Sequence, residues 1–273
     1  MTIQPRSYLF VPAERPDRIA KALASGADAA ICDLEDAVAP AAKPAARQAL
    51  ADWLARAGGP LPKPLVVRIN GVDSAWFDDD LAVCRAPAVR QVMLPKAERA
   101  DDIAHVAAIT GKRVIALVET AAGMDELRTV ARAPGVERIA FGSIDFQLDL
   151  GIAGDGDALL AFRSQLVLAS RVAGLAPPID GVSTAIGDAA AVSADARHAR
   201  SLGFGAKLCI HPTQVQAVND AFSPGADELA WARRVIDAMR DASGAVVAVD
   251  GKMVDRPVLL RAEALLRQAG QTP

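Results

Sequence analysis

Aromatic side chains are scarce. Seven phenylalanines, three tryptophans and one tyrosine make up 4% of the 273 residues. Proteins that bind single strands stack bases on such rings, so this class has little to build on. A charge excess of one sign is also missing. Lys and Arg total 30 against 33 Asp and Glu, a formal net charge of −3, so no basic field points to nucleic acid or a membrane surface. Three cysteines, Cys32, Cys84 and Cys209, are too few and too scattered for a disulfide framework or a zinc ribbon. Reduced buried thiols in a cytoplasmic protein are expected instead. No apolar run approaches the ~20 residues a membrane helix needs. Met1 to Arg6 lacks the apolar centre of a signal peptide, so a soluble chain is expected.

What is present is ordinary for a globular protein: 52% hydrophobic and 23% charged residues. Val114-Ile115-Ala116-Leu117-Val118 is an unbroken apolar run that ends on Glu119. Arg138 to Ile144 is a second such run, and it ends on Asp145. A short apolar run bounded by turn signals reads as a strand buried on both faces, as in a parallel sheet. An acid at the end of a buried strand is costly unless it is paired, hydrogen-bonded or bound to a cation. Two of them on successive strands suggest a hard-cation site.

Six further runs read as strands: Ser7 to Pro12, Ala29 to Leu34, Leu65 to Asn70, Val89 to Leu94, Ile179 to Thr184 and Lys207 to His211. Helical spacing separates them. Ser74 reads as the N-cap of a helix to about Arg85, and further helices are expected over Gly123 to Ala133 and Asp157 to Ala173. Eight strand–helix units in series predict an α/β fold, a (β/α)8 TIM barrel, over residues 1–222. A doubly wound open sheet is the alternative. It usually carries a glycine fingerprint after its first strand, where this chain has Pro12-Ala13-Glu14-Arg15-Pro16. Residues 223–273 read as a C-terminal helix-hairpin-helix extension. Its helix runs from Ala226 to Ala242, its hairpin spans Ala245 to Asp255 around Asp250-Gly251, and its last helix starts at Arg256-Pro257. Such an appendage needs a surface, either its own barrel mouth or a neighbouring subunit.

In a barrel, residues at the strand C-termini share one mouth. Glu35 and Asp36 follow strand two, Arg68 lies near the end of strand three and Lys96 follows strand four. Glu119, Asp145 and His211 end strands five, six and eight. Two carboxylates with several waters is the usual arrangement for Mg²⁺, whereas zinc would more often recruit His or Cys. Each acid alone could instead cap the next helix or pair with a base. Arg68 interrupts an apolar strand, so its charge must face a partner. It can form a buried salt bridge with Glu35, Asp36 or Glu119, and it can also be a fixed cation for a carboxylate or an enolate. His211 reads as a satisfied structural histidine, and Asp78-Asp79-Asp80 as a helix-start charge cluster.

At this point the chain resembles a known family. Ser7-Tyr8-Leu9-Phe10-Val11-Pro12, Asp33-Leu34-Glu35-Asp36-Ala37-Val38, Val67-Arg68-Ile69-Asn70 and Leu94-Pro95-Lys96 are similar to motifs of the citrate lyase β-subunit-like family. So are Glu119-Thr120, Gly142-Ser143-Ile144-Asp145-Phe146, Ile210-His211-Pro212 and Asp250-Gly251-Lys252-Met253-Val254-Asp255. The family includes malyl-CoA, citramalyl-CoA and citryl-CoA lyases. The resemblance implies Mg²⁺ held at Glu119 and Asp145, and reversible cleavage of a 3-hydroxyacyl-CoA to an acyl-CoA and a 2-oxo acid. It also implies a homo-oligomer, a trimer or a multiple of one, in which Asp255 reaches a neighbour's site and protonates the carbanion. Arg68 would stabilise the thioester enolate, with Glu35 and Asp36 orienting it. Arg15 and Lys21 would contact the CoA phosphates. Two departures stand out: Pro12-Ala13 where the family often has Pro-Gly, and Gly203-Phe204-Gly205-Ala206-Lys207 where the glycine is moved. A non-catalytic CoA- or metal-binding subunit and an acyl-CoA thioesterase are the rival expectations.

Overall fold

The computed structural model describes residues 4–241 and 246–272. The chain divides into two compact units, Gln4–Asn219 and a C-terminal unit from Asp220 onward.

The first unit is a closed parallel barrel in sequence order, each strand paired with the next and the eighth with the first. Its elements are β1 (Ser7–Pro12), α1 (Arg18–Ala24), β2 (Ala29–Asp33), α2 (Lys43–Ala57), β3 (Leu65–Arg68), α3 (Phe77–Cys84), β4 (Gln91–Leu94), α4 (Ala100–Thr110), β5 (Arg113–Val118), α5 (Ala121–Asp125) and α6 (Leu127–Val130). They continue with β6 (Val136–Phe141), α7 (Ser143–Leu150), α8 (Leu160–Val172), β7 (Ile179–Asp180), α9 (Ala189–Leu202) and β8 (Ala206–Cys209); α10 (Val215–Phe222) follows. The predicted (β/α)8 barrel is therefore the observed fold.

Strand parity explains both the core and the site. Side chains alternate across a strand, so every second residue faces the barrel axis. Ile31, Val66, Met93, Ile115, Leu117 and Leu208 pack together there, all fully or nearly fully buried. The helices cover the outward residues, which is why β5 reads as a continuous apolar run rather than an alternating one. The same parity carried forward turns Asp33 after Ile31, Arg68 after Val66, and Glu119 after Leu117 toward the axis. The barrel's opposite end is plugged by Arg138. It donates to the Pro5 and Pro177 carbonyls and to Tyr8 Oη, and Gly205 leaves it room, because a Cβ there would lie 2.9 Å from Arg138 Nη2.

Several boundaries differ from those expected. β6 ends at Phe141, and Asp145 lies in the first turn of α7, not on the strand. A carboxylate is favoured there by the helix dipole. β7 is only Ile179–Asp180, and just beyond it Gly181 passes so close to Ser143 that a Cβ would meet its hydroxyl at 2.2 Å. Ser74 is not a helix cap; it belongs to a turn closed by its N–H on the Gly71 carbonyl, and α3 starts later, at Phe77. The helix expected over Gly123 to Ala133 begins earlier and is broken at Glu126 into α5 and α6. That expected over Asp157 to Ala173 opens as a 3-10 turn before α8. β8 ends at Cys209, and His211 beyond it accepts from Thr213 N with Nδ1, a structural role as expected. Asp78, Asp79 and Asp80 fall in the first turn of α3.

The C-terminal unit contains α11 (Ala226–Asp241), β9 (Val247–Val249), β10 (Lys252–Val254) and α12 (Arg256–Gln268). Ala242 and Ala245, ends of the expected helix and hairpin, lie outside the described residues, as does Met1. Asp250 and Gly251 have φ of 49° and 74°, the left-handed pair a tight two-residue hairpin requires. Val235, Met239, Val249, Val254, Ala262 and Leu266 bury one apolar face of each helix and of the hairpin.

Candidate active site

A cavity of about 420 Å³ opens at the C-terminal ends of the strands. Asp33, Asp36, Arg68, Glu119, Ser143 and Asp145 line it, over an apolar floor that includes Phe10, Leu117 and Leu208. Five acids, counting Glu35 behind Arg68, thus stand around one guanidinium.

Arg68 is the best-anchored group. Nε and Nη2 donate to the two oxygens of Asp33 at 2.7 and 2.6 Å. β2 and β3 pair with Asp33 directly opposite Arg68, so the sheet register itself delivers this fork. Asp33 also accepts from the N–H groups of Glu35 and Ala37, which fills its lone pairs. Glu35 Oε2 lies 2.9 Å from Arg68 Nη1 without hydrogen-bond geometry, and Asp36 Oδ2 accepts from Nη1 at 3.4 Å. The Phe10 ring lies under the guanidinium, 4.9 Å from its carbon. The neighbouring acids and these hydrogen bonds outweigh burial and hold the Arg68 pKa above its usual value. The expected partners Glu35 and Asp36 are present; the strongest partner is Asp33, the first of the three acids in Asp33-Leu34-Glu35-Asp36. Its signal was its inward parity on the strand next to Arg68.

Glu119 stands one residue past β5 and is 2% exposed. Its Oε1 accepts from Lys96 N at 2.9 Å, where Lys96 turns with φ 46°. The other oxygen lies against Gly142, where a Cβ would come within 2.4 Å of both Glu119 Cβ and Oε2. A glycine at 142 is thus what lets Glu119 lie across β6 toward α7. Burial pushes the Glu119 carboxyl up to about 8, and the like charges of Glu35 and Asp145 add to the rise. Burial likewise pushes Glu35 up to about 7, against the pull of Arg68. Two neighbouring buried carboxyls with raised pKa values gain from a cation placed beside them. Among the described residues no three His, Cys, Asp or Glu side chains group as a metal cage. Two carboxylates on an open cavity suit Mg²⁺, which keeps sites for water and substrate oxygens. Ser143, 1% exposed, has a buried hydroxyl with no hydrogen-bond partner.

The structure does not bring every expected residue to this cavity. Arg15 follows β1 but pairs with Asp17 at 3.0 Å in solvent, and Lys21 is exposed on α1; neither lines the cavity. Asp255 belongs to the C-terminal unit, where it caps α12 by accepting from Val258 N at 3.3 Å.

A closed (β/α)8 barrel carries an acid-rich, arginine-centred cavity at its strand C-termini, an arrangement whose chemistry suits a hard cation and an anionic substrate. The chain belongs to the HpcH/HpaI aldolase/citrate lyase family, whose profile matches residues 6–212. It is 43% identical over 272 residues to a citrate lyase subunit beta-like protein of Mycobacterium tuberculosis, covering 97% of this chain and 95% of that one. It is 34% identical over 270 residues to a (3S)-malyl-CoA thioesterase of Cereibacter sphaeroides, covering 97% and 94%. Among solved structures, the M. tuberculosis protein CitE in complex with magnesium, acetoacetate and coenzyme A superposes with a TM-score of 0.86 at 41% identity, covering 97% of this chain and 98% of that one.

Proposed function

We propose that this chain is a Mg²⁺-dependent carbon–carbon lyase. Its substrate is a 3-hydroxyacyl-CoA of the citryl-, malyl- or citramalyl-CoA type, and its products are an acyl-CoA and a 2-oxo acid. The observation that carries this reading is the placement of Glu119, Asp145 and Arg68 on one cavity at the barrel mouth. The magnesium and coenzyme A in the similar M. tuberculosis structure support it.

Glu119 and Asp145 would hold the ion. Bound Mg²⁺ supplies a Lewis acid for the hydroxyl and carboxylate oxygens of the half that leaves as the 2-oxo acid. The first turn of α7 and the Ser143 hydroxyl offer donors to a substrate carboxylate. As the carbon–carbon bond breaks, its electron pair passes into the thioester as an enolate, the hydroxyl proton passes to solvent water, and the hydroxyl oxygen becomes the carbonyl oxygen of the 2-oxo acid. Arg68 is the fixed cation for the enolate, preorganised by Asp33 and buttressed by Glu35 and Asp36. Asp255, delivered by a partner subunit, would protonate the enolate carbon. Arg15 and Lys21 would meet the CoA phosphates. The reading includes a cytoplasmic homo-oligomer, a trimer or a multiple of one, with a barrel domain over residues 1–222. Residues 223–273 would pack on the barrel mouth or on a neighbouring subunit.

Product analysis tests the reading. Purified protein with Mg²⁺ and malyl-, citramalyl- or citryl-CoA should release a 2-oxo acid together with an acyl-CoA. The C. sphaeroides relatives favour one rival, hydrolysis of the thioester. Free CoA thiol with the intact hydroxy acid, and no 2-oxo acid, would replace the lyase reading with that one.

Gly142→Ala probes the geometry from the backbone side. The added Cβ would lie 2.4 Å from Glu119 Cβ and Oε2, so the Glu119 side chain must shift. Overpacking of this kind costs about 1–3 kcal/mol of stability, and Mg²⁺ affinity should fall about tenfold or more. Calorimetric titration of the folded variant checks this; wild-type affinity would show that Glu119 needs no room at Gly142.

A further inference from the structure

The two proposed ligands sit on different elements, Glu119 just before α5 and Asp145 in the first turn of α7. Their separation depends on what fastens those elements to each other. One fastening is the sheet itself, through Gly142 N on the Val118 carbonyl at 3.0 Å. The other is a side chain. Asp149, one turn beyond Asp145 on α7, accepts from Ala121 N with Oδ2 at 2.7 Å. Ala121 is the first residue of α5, two after Glu119, and its N–H is one of the donors a helix start leaves free. On the other side, Thr120 Oγ1 donates to Glu98 Oε1 at 2.7 Å and accepts from Gly123 N at 3.1 Å. The residues after Glu119 are therefore gripped from β4's loop by Glu98 and from α7 by Asp149.

We infer that Asp149 is a positioning residue that sets the spacing of Glu119 and Asp145 by clamping α7 to the start of α5. The inference rests on the Mg²⁺-lyase reading. Asp149 itself is exposed and does not line the cavity. Its loss should leave the fold intact, as surface substitutions generally do, while loosening the carboxylate pair. Residues outside the ligand set that orient metal ligands typically contribute about 10- to 100-fold in affinity. The lower end suits a clamp acting through one helix turn.

The clamp can be opened from either side. Asp149→Ala removes the acceptor. Ala121→Pro removes the donor and leaves Asp149 in place. Proline is well tolerated at a first helical position, and Thr120 already has the extended backbone a following proline demands, φ −133° and ψ 159°. Both variants should bind Mg²⁺ about tenfold more weakly by calorimetry, with melting temperatures of the metal-free protein within a few degrees of wild type. The double variant should lose no more than either alone. Asp149→Asn, which keeps an acceptor oxygen, should return to within about threefold of wild type. Wild-type Mg²⁺ affinity in Asp149→Ala or in Ala121→Pro overturns the clamp and leaves the lyase reading standing. If Asp149→Ala loses metal by unfolding, its melting temperature reveals it, and Ala121→Pro decides alone. A wild-type protein that binds no Mg²⁺ would overturn the clamp and the lyase reading together.

Discussion

Arg68→Gln is expected to abolish useful turnover, lowering kcat by about a thousandfold, the upper range for loss of a preorganised donor to a developing oxyanion. It should also destabilise the protein by about 3–5 kcal/mol, because Asp33 and Glu35 would be left buried without their cation. The two effects separate with Arg68→Lys. An ammonium keeps the charge but cannot reproduce the fork onto both Asp33 oxygens. Lys should therefore recover much of the stability and little of the rate. Denaturant unfolding and steady-state kinetics at saturating substrate check the pair. A kcat within about threefold of wild type in Arg68→Gln would remove Arg68 from the chemistry and leave it a salt-bridge residue.

Glu119→Gln is the second large effect. The amide keeps an acceptor for Lys96 N but loses the charge, so Mg²⁺ affinity should collapse while the protein folds. The pH dependence has a defined sign. The folded-state value of Glu119 is raised from 4.5 to about 8, and that of Glu35 from 4.5 to about 7. The metal-free folded state therefore holds more protons than the unfolded chain between those values. Its stability should fall as pH rises from about 5 to about 8. Mg²⁺ competes with those protons, so its affinity and the thermal stabilisation it gives should grow over the same window. Glu119→Gln should flatten much of both trends. Calorimetric melting in chelator and in Mg²⁺ across the window measures them. A wild-type Mg²⁺ affinity independent of pH would mean that the cation sits elsewhere.

Much of this site was legible in the sequence, and the reason is parity. A charged residue that interrupts or ends a buried run must point somewhere, and alternation sends Arg68 and Glu119 to the same axis as the core. The eight apolar runs likewise gave the barrel, since each is short and bounded by glycine, proline or a charge. Asp145 was assigned to the right mouth but to the wrong element. Ile139-Ala140-Phe141 and Ile144 form one apolar string, and nothing in it marks Gly142-Ser143 as a helix start. That Asp33 rather than its neighbours takes the Arg68 fork follows from register, a relation between strands 35 residues apart in sequence. Gly142 and Asp149 were beyond reach for the same reason. Each matters through a contact with the Glu119 segment across a full strand–helix unit, and local pattern carries no trace of such a contact.

The C-terminal unit shows the complementary case. Its hairpin was readable because Asp250-Gly251 is a strong local signal, and the structure gives both residues positive φ. The Asp255 carboxylate caps α12 within its own unit. A cap and a proton donor need not exclude each other, since Val258 N engages Oδ1 and a carboxylate has a second oxygen. Asp255→Asn keeps a capping oxygen.

The most direct test of the central claim is a crystal structure of the chain with Mg²⁺ and a 2-oxo acid. The account predicts one ion held by Glu119 and Asp145, with the 2-oxo acid completing its coordination and Arg68 still forked onto Asp33. An ion bound away from those two carboxylates, or a 2-oxo acid seated outside the cavity, would contradict it.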